Sequence, residues 1–359
     1  MTALLGGPSA GTAKPRYAFV DALRGIAAVM VVLFHVYSKN LLPMTGYRLP
    51  EPFHTMFDNG NVGVYVFFVI SGFVIAHSIR GERVTPRYLG WFAARRALRL
   101  DPPYWATIAA MIALTVISNH AQHARSLPLP SVGSVAAHLV YLQGFLGYPQ
   151  IVGVFWTLCY EIQFYLALVI GVGIAQALGA SRWLVFAPLA ALGLVCAAGW
   201  LSVTPALAVH AWPFFFLGVV VAWVHNREQP AIVFLGVAAL TLILWPVSPV
   251  QTGVALATAI AIFLVARAGK LGDWTLGRAL QYLGRISYSL YLVHMLVGTP
   301  LVRFGVRLFG NKADLLHTVA LFALALGVSI LVAHIFHVLI ERPAQRLSHR
   351  LHRFDRGRA

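Results

Sequence analysis

Charged residues are scarce in this sequence. Asp, Glu, Lys and Arg make up 11% of its 359 residues, against about a quarter in a soluble domain, too few to cover a water-facing surface. Acids are scarcer still: 11 Asp and Glu stand against 27 Lys and Arg, a formal net charge of +16. Cysteine is nearly missing. Cys159 and Cys196 fall inside apolar runs, where lone thiols act as small hydrophobes, and they give neither a disulfide framework nor a metal spacing. No alternating pattern of about ten residues recurs, which argues against a membrane β-barrel. There is no internal repeat, low-complexity tract or separate soluble domain.

What the sequence has is apolar length. It is 59% hydrophobic, with a mean hydropathy of +0.76. Runs of roughly 17–25 apolar residues, enough to cross a bilayer as helix, recur from end to end. In lipid each backbone polar group must find its partner within its own segment, which favours helices. The expected fold class is therefore all-α: a polytopic membrane helical bundle with about ten transmembrane helices. The spans are expected near 18–38, 61–80, 102–119, 153–175, 183–200, 205–225, 231–246, 251–267, 284–305 and 317–340. Residues 134–147 are apolar but too short to cross, as in a re-entrant or interfacial helix. The longest loops are 39–60 and 120–133. The first 17 residues are polar and the first apolar run is long enough to span, so an uncleaved anchor is expected there.

The basic residues gather between apolar runs rather than along one face, which argues against nucleic-acid binding. Lys14, Arg16 and Arg24 lie at the start, and Arg80, Arg83, Arg87, Arg95, Arg96 and Arg99 between spans two and three. Arg267, Lys270 and Arg278 lie between spans eight and nine. The tail carries Arg342, Arg346, Arg350, Arg353, Arg356 and Arg358. Ten spans put all of these on one side, and positive residues mark the cytoplasm; Arg307 and Lys312 are a mild exception. The expectation is a multi-pass cell-membrane protein with both termini cytoplasmic, in the inner membrane if the cell is Gram-negative. Residues 1–15 form a cytoplasmic N-terminal segment, 16–343 a membrane domain and 344–359 a basic cytoplasmic tail.

Ionisable groups inside membrane helices cost about 3 kcal/mol each on insertion scales, so each points to function by default. The first helix carries Asp21, Arg24 and His35. Arg24 and His35, eleven residues apart, project from one face and are separated by roughly 16 Å along the axis. Asp21 and Arg24, at i and i+3, are placed to pair. Glu161 follows Trp156 at the start of the fourth span, roughly 12 Å deep from the outer face, where an unpaired carboxylate would seek a partner such as His35 or an arginine. On the ninth span Ser287, Tyr291 and His294 share a face, with Tyr288 beside them; His294 is expected between the depths of Arg24 and His35. Arg95, Arg96 and Arg99 precede two prolines. Arg96 and Arg99 share a helix face, and guanidinium forks suit phosphate oxygens. Structural alternatives stand beside each of these: an ion pair, an interhelical lock, headgroup contacts. His77, His120, His123, His138, His317, His334 and His337 form no metal-ligating spacing.

These motifs resemble, in order along the chain, the acyltransferase-3 family of membrane acyltransferases. The resemblance rests on Tyr17-x-x-x-Asp21-x-Leu23-Arg24-Gly25 with His35, on Phe67-Phe68-x-Ile70-Ser71-Gly72-Phe73, and on Arg95-Arg96-x-x-Arg99-x-x-Pro102-x-Tyr104. It continues through Trp156-x-Leu158-x-x-Glu161-x-x-Phe164-Tyr165, Ser287-Tyr288-x-x-Tyr291-x-x-His294 and Glu341-x-Pro343. It implies an enzyme that passes an acetyl or other short acyl group from cytoplasmic acyl-CoA, with acetyl-CoA as co-substrate and no bound cofactor or metal. The implied acceptor is a hydroxyl of a carbohydrate or glycolipid in a surface or exported glycan. By resemblance His35 is the catalytic histidine and Arg96 and Arg99 serve the acyl donor, with Arg24 and Arg95 beside them. Asp101, where relatives often carry an aromatic, and Thr157, where Ser is commoner, depart from the pattern. Chemically, His35 suits a general base, with Glu161 or Asp21 as the carboxylate that would raise its basicity. Trp156, Ser287, Tyr288, Tyr291 and His294 are expected as supporting polar groups. A covalent acyl-enzyme stays open, though no serine or thiol stands out as nucleophile. The rival reading is a transporter or flippase for a glycan or small solute, which also places buried Arg, His and Glu at mid-depth.

Overall fold

The computed structural model describes residues 17–46, 48–121, 127–309 and 314–356. Lys14, Arg16, His123, Lys312 and Arg358, together with the segment 1–15, lie outside them. Among the described residues every regular element is a helix. Those used below are α1 (Ala18–Val36), α2 (Gly63–Ser78), α3 (Pro86–Ala121), α4 (Val132–Leu139), α5 (Trp156–Ala177), α6 (Trp183–Ala197), α7 (Trp212–His225), α8 (Ala231–Thr241), α9 (Pro249–Arg267), α10 (Arg278–Phe309), α11 (Leu315–Phe336) and α12 (Arg342–Arg356).

Among the described residues, eight of the helical segments are long and apolar enough to cross a membrane. Two further apolar helices, Trp183–Ala197 and Ala231–Leu244, fall where the fifth and seventh spans were expected but are shorter. Large apolar side chains such as Leu184, Ile232, Leu331 and Leu339 are more than half exposed, a surface that suits hydrocarbon and not water. The chain is a polytopic helical membrane protein. Residues 134–147 form the short helix α4, capped by Ser131 (Oγ 3.1 Å from the Ser134 N–H), and then turns.

The third expected span is only the second half of a longer element. Prolines at 102 and 103 remove two backbone donors and disfavour helix before them, which is why the sequence reads as a break there. The helix nevertheless runs unbroken for 36 residues, and the arginine-rich run that precedes the third expected span is part of it. Neighbours hold it from outside: the Tyr288 hydroxyl donates to the Leu100 carbonyl (2.8 Å), and Ser348 of α12 donates to the Arg95 carbonyl (2.9 Å). The ninth span lies within α10, 32 residues long. The tenth continues through a π-helical turn, His337–Glu341, into α12.

Two close helix crossings organise the bundle. Gly72 of α2 faces Gly218 of α7: a Cβ on either would lie 1.9 Å from a carbonyl oxygen of the other helix. Small residues let backbones approach where lipid supplies no hydrophobic drive. Residues 212–224 of α7 are all buried, so this helix forms the centre. The second crossing joins α1 to α10, where Gly25 meets the Leu280 carbonyl and Gly284 the Asp21 carbonyl. Further along, Gly298 packs on Val36, so α1 and α10 run side by side in the same direction.

Candidate functional site

Alongside that pair lies a cavity walled by α1, α2, α3, α5, α10 and the π-helical turn before α12. Its polar lining comes from five helices that are far apart in sequence.

Three guanidiniums, Arg24, Arg96 and Arg99, line it. None of the three makes a hydrogen bond or direct ion pair among the described residues. Arg96 rests on the rings of Phe92 and Tyr165, 5.6 and 5.1 Å from their centroids, which orients the fork without using its N–H groups. Three cations with uncommitted donors in one recess have the chemistry that suits an anion with several oxygens. The expected helix face shared by Arg96 and Arg99 is thus the one that meets the cavity. Arg95 lies off it, its guanidinium 5.4 Å from the Trp91 ring. Arg24 turns into the cavity rather than onto Asp21, which is not a lining residue.

Two carboxylates face these cations. Glu161 accepts from the Ser71 hydroxyl (2.6 Å) and from the Tyr165 hydroxyl, both on one oxygen. Glu341, 2% exposed, accepts from the Ser289 N–H and hydroxyl (3.3 and 2.6 Å), from His337 Nδ1 (2.9 Å) and from Gln345 (2.8 Å). A carboxylate holding that many donors is locked in place. Neither Glu161 nor Asp21 is bonded to His35, whose hydrogen-bond partners among the described residues are Val31, Asn40 and His294, so the expected carboxylate–histidine partnership is not formed. Glu161 lines the cavity together with Ser71 and the arginines.

Tyr291 is a further lining residue of the cavity. Its hydroxyl lies 2.6 Å from Thr157 Oγ1 and 3.0 Å from the Val154 carbonyl, which Thr157 also contacts at 2.9 Å. Ser287, fully buried on the same helix face, has no partner for its hydroxyl among the described residues. One helical turn beyond Tyr291, roughly 5 Å along the axis, His294 meets His35: Nε2 of His294 is 3.3 Å from Nδ1 of His35. His35 is half-buried and does not line the cavity. The imidazole expected at the end of a passage from the arginines is therefore not part of the cavity wall, whose lining residue Tyr291 stands one helical turn from His294. His294 was expected between the depths of Arg24 and His35 and instead stands level with His35. The glycine crossing sets the register of α10 against α1, and that offset was not in the local sequence.

Trp156 is 37% exposed and belongs to a separate depression on the other side of α5, beside Tyr160 and Cys159. Asp101 also has its explanation: it accepts from the Tyr141 hydroxyl at 2.8 Å. Burial raises the pKa of Tyr141 above its ordinary value, so the phenol stays a donor, and its ring stacks on Tyr104 at 4.7 Å. Tyr165, Ser71 and Glu341 were not singled out as site residues. Only their place within motifs signalled them, since polar groups bonded across helices leave no periodic trace.

A family model for an acyltransferase domain matches residues 17–334. The chain is 29% identical over 329 residues to the acyltransferase MdmB of Streptomyces mycarofaciens, covering 80% of this chain and 81% of that protein. It is 28% identical over 320 residues to Nodulation protein 10 of Rhizobium leguminosarum bv. viciae, covering 79% and 84%. No solved structure matches the chain.

Proposed function

From the premise that this chain belongs to the acyltransferase-3 family and is a membrane acyltransferase, we propose that it moves an acetyl or other short acyl group from cytoplasmic acyl-CoA to a hydroxyl of a carbohydrate or glycolipid acceptor. The observation that carries the reading is one alignment. Three uncommitted guanidiniums share a cavity with Tyr291, which lies one helical turn from a histidine pair.

In this reading the donor's phosphates rest on Arg24, Arg96 and Arg99, and its extended arm follows α10 past Ser287 towards Tyr291. The roughly 16 Å between Arg24 and His35 along α1 suits a long donor with its charge at one end and its reactive carbonyl at the other. His35 takes the proton of the acceptor hydroxyl as that oxygen attacks the thioester carbon, the carbon–sulfur bond breaks, and the thiolate receives the proton back. The donor and His35 meet where the donor arm passes Tyr291, one helical turn from His294. Glu161 and Glu341 act as fixed counter-charges that keep an empty cavity of three cations tolerable. Both termini lie in the cytoplasm and, in a Gram-negative cell, the protein sits in the inner membrane.

The test uses the purified protein in proteoliposomes, supplied with radiolabelled acetyl-CoA and a glycan and glycolipid extract from the producing cells. The expected result is label in the extract with stoichiometric free CoA, lost in His35→Ala protein that remains folded. Wild-type transfer by folded His35→Ala ends the general-base reading. Movement of glycolipid across the bilayer with no consumption of acetyl-CoA would establish the flippase instead.

A further inference from the structure

The two imidazoles are wired by partners that leave little freedom of tautomer. His294 is 1% exposed, and its Nδ1 lies 2.7 Å from the Tyr291 carbonyl and 3.2 Å from that of Leu290. Carbonyl oxygens only accept, so Nδ1 carries the hydrogen. A neutral ring has one N–H, which leaves Nε2 of His294 as a bare acceptor. That acceptor faces Nδ1 of His35, which also lies 2.9 Å from the Val31 carbonyl. Nδ1 of His35 is therefore the protonated nitrogen, its hydrogen shared between two acceptors, and Nε2 of His35 is left with a free lone pair. The rings stand 5.0 Å apart between centroids. Their helices are held together above and below by Gly298 against Val36 and Gly284 against Asp21.

We propose that His294 is a positioning residue for His35, an imidazole standing where other acid–base sites carry a carboxylate, and that it turns the bare Nε2 of His35 toward the acceptor hydroxyl. This rests on the reading of His35 as the base. When His35 takes the hydroxyl proton on Nε2, its Nδ1–H becomes a charge-assisted donor to Nε2 of His294. His294 itself gains and loses no proton, because its own N–H stays on the Tyr291 carbonyl. The proton on His35 then passes to the departing thiolate, and both rings return to their starting state. A neutral partner holds the ring without placing a second charge in an apolar setting, where an unpaired carboxylate is costly whenever His35 is neutral.

Two measurements on the full chain in proteoliposomes test this. The first is solid-state nitrogen-15 NMR of histidine-labelled protein, with His35→Gln and His294→Gln used for assignment. Both neutral rings are expected as Nδ1–H tautomers; an Nε2–H tautomer at either ring overturns the proposal. The second compares thiol release from acetyl-CoA in His294→Leu, which removes the acceptor, and His294→Gln, whose carbonyl can replace it. The Leu variant is expected to lose about 100-fold in kcat, the lower end of what a positioned base supplies. KM for acetyl-CoA should stay within about twofold and the Gln variant should retain most of the rate. Wild-type kcat in the Leu variant, or equal loss in both variants while folded, overturns it. The outcomes separate from those of the parent reading, because the nitrogen spectra need no turnover, whereas activity surviving in His35→Ala removes the base and leaves the spectra to judge the pair.

Discussion

Gly284 sits so close to Asp21 that a Cβ would lie 2.0 Å from the Asp21 carbonyl oxygen. This contact fixes how α10 slides against α1, and through it the meeting of His294 with His35 ten and fourteen residues further on. A side chain at 284 must separate the helices or shift their register. Gly284→Ala is expected to destabilise the protein by about 1–3 kcal/mol, the usual cost of overpacking, and to reduce acyl transfer along with it. Thermal unfolding in detergent measured beside turnover checks this. Unchanged stability would show that the crossing yields more easily than its geometry indicates.

The arginines differ in what they face. Arg96→Ala and Arg99→Ala should each raise KM for acetyl-CoA about tenfold or more, because a charge-assisted bond to phosphate contributes about 1.5–3 kcal/mol. Lys at either place should restore only part, since an ammonium lacks the guanidinium fork. Arg95→Ala, whose side chain lies on Trp91 outside the cavity, should leave KM near wild type. Equal effects at all three positions would argue that the donor binds to the cytoplasmic surface and not in the cavity.

Glu161 holds the hydroxyls of Ser71 and Tyr165 on a single oxygen. Glu161→Gln keeps an oxygen able to accept both and should unfold within about 1 kcal/mol of wild type. Glu161→Ala strands two donors in a low-dielectric setting, at about 1–3 kcal/mol each. The two variants compared by thermal unfolding decide whether hydrogen bonding or charge is what the site needs. A Gln variant as unstable as Ala would point to the charge facing Arg96.

Tyr291 lines the cavity one helical turn from His294. Tyr291→Ala should open the wall there and admit water, raising thiol release from acetyl-CoA relative to acyl transfer by severalfold. Tyr291→Phe keeps the ring and loses only the bonds to Thr157 and Val154, so its ratio should stay near wild type. The ratio of free thiol to transferred label reads this directly. An unchanged ratio in the Ala variant would show that Tyr291 does not stand between the cavity and the histidine pair.

Asp101 and Tyr141 form a bonded pair at 2.8 Å beside the double proline. Tyr141→Phe leaves a half-buried carboxylate without that donor and should lower stability by about 1–3 kcal/mol. The double variant with Asp101→Asn should recover part of the loss. Additive losses, measured as a double-mutant cycle, would show that the two groups do not act on each other.

Much of this molecule is legible along the chain. Apolar runs of membrane length locate the helices because hydrocarbon forces each segment to satisfy its own backbone, a local requirement that composition alone reveals. Helical periodicity likewise places Arg96 with Arg99, and Ser287 with Tyr291, on single faces that do meet the cavity. What the tertiary structure decided are the pairings between helices. Which residue Glu161 bonds, how far α3 continues through Pro102 and Pro103, and which depth His294 occupies all depend on contacts between distant segments. Those contacts are set by glycine crossings and by single hydrogen bonds, worth about 1 kcal/mol apiece, that carry no period in sequence. The chain alone specified that an imidazole and three guanidiniums lie within the membrane domain. Packing α10 beside α1 at Gly284 gave that imidazole a second one as its partner.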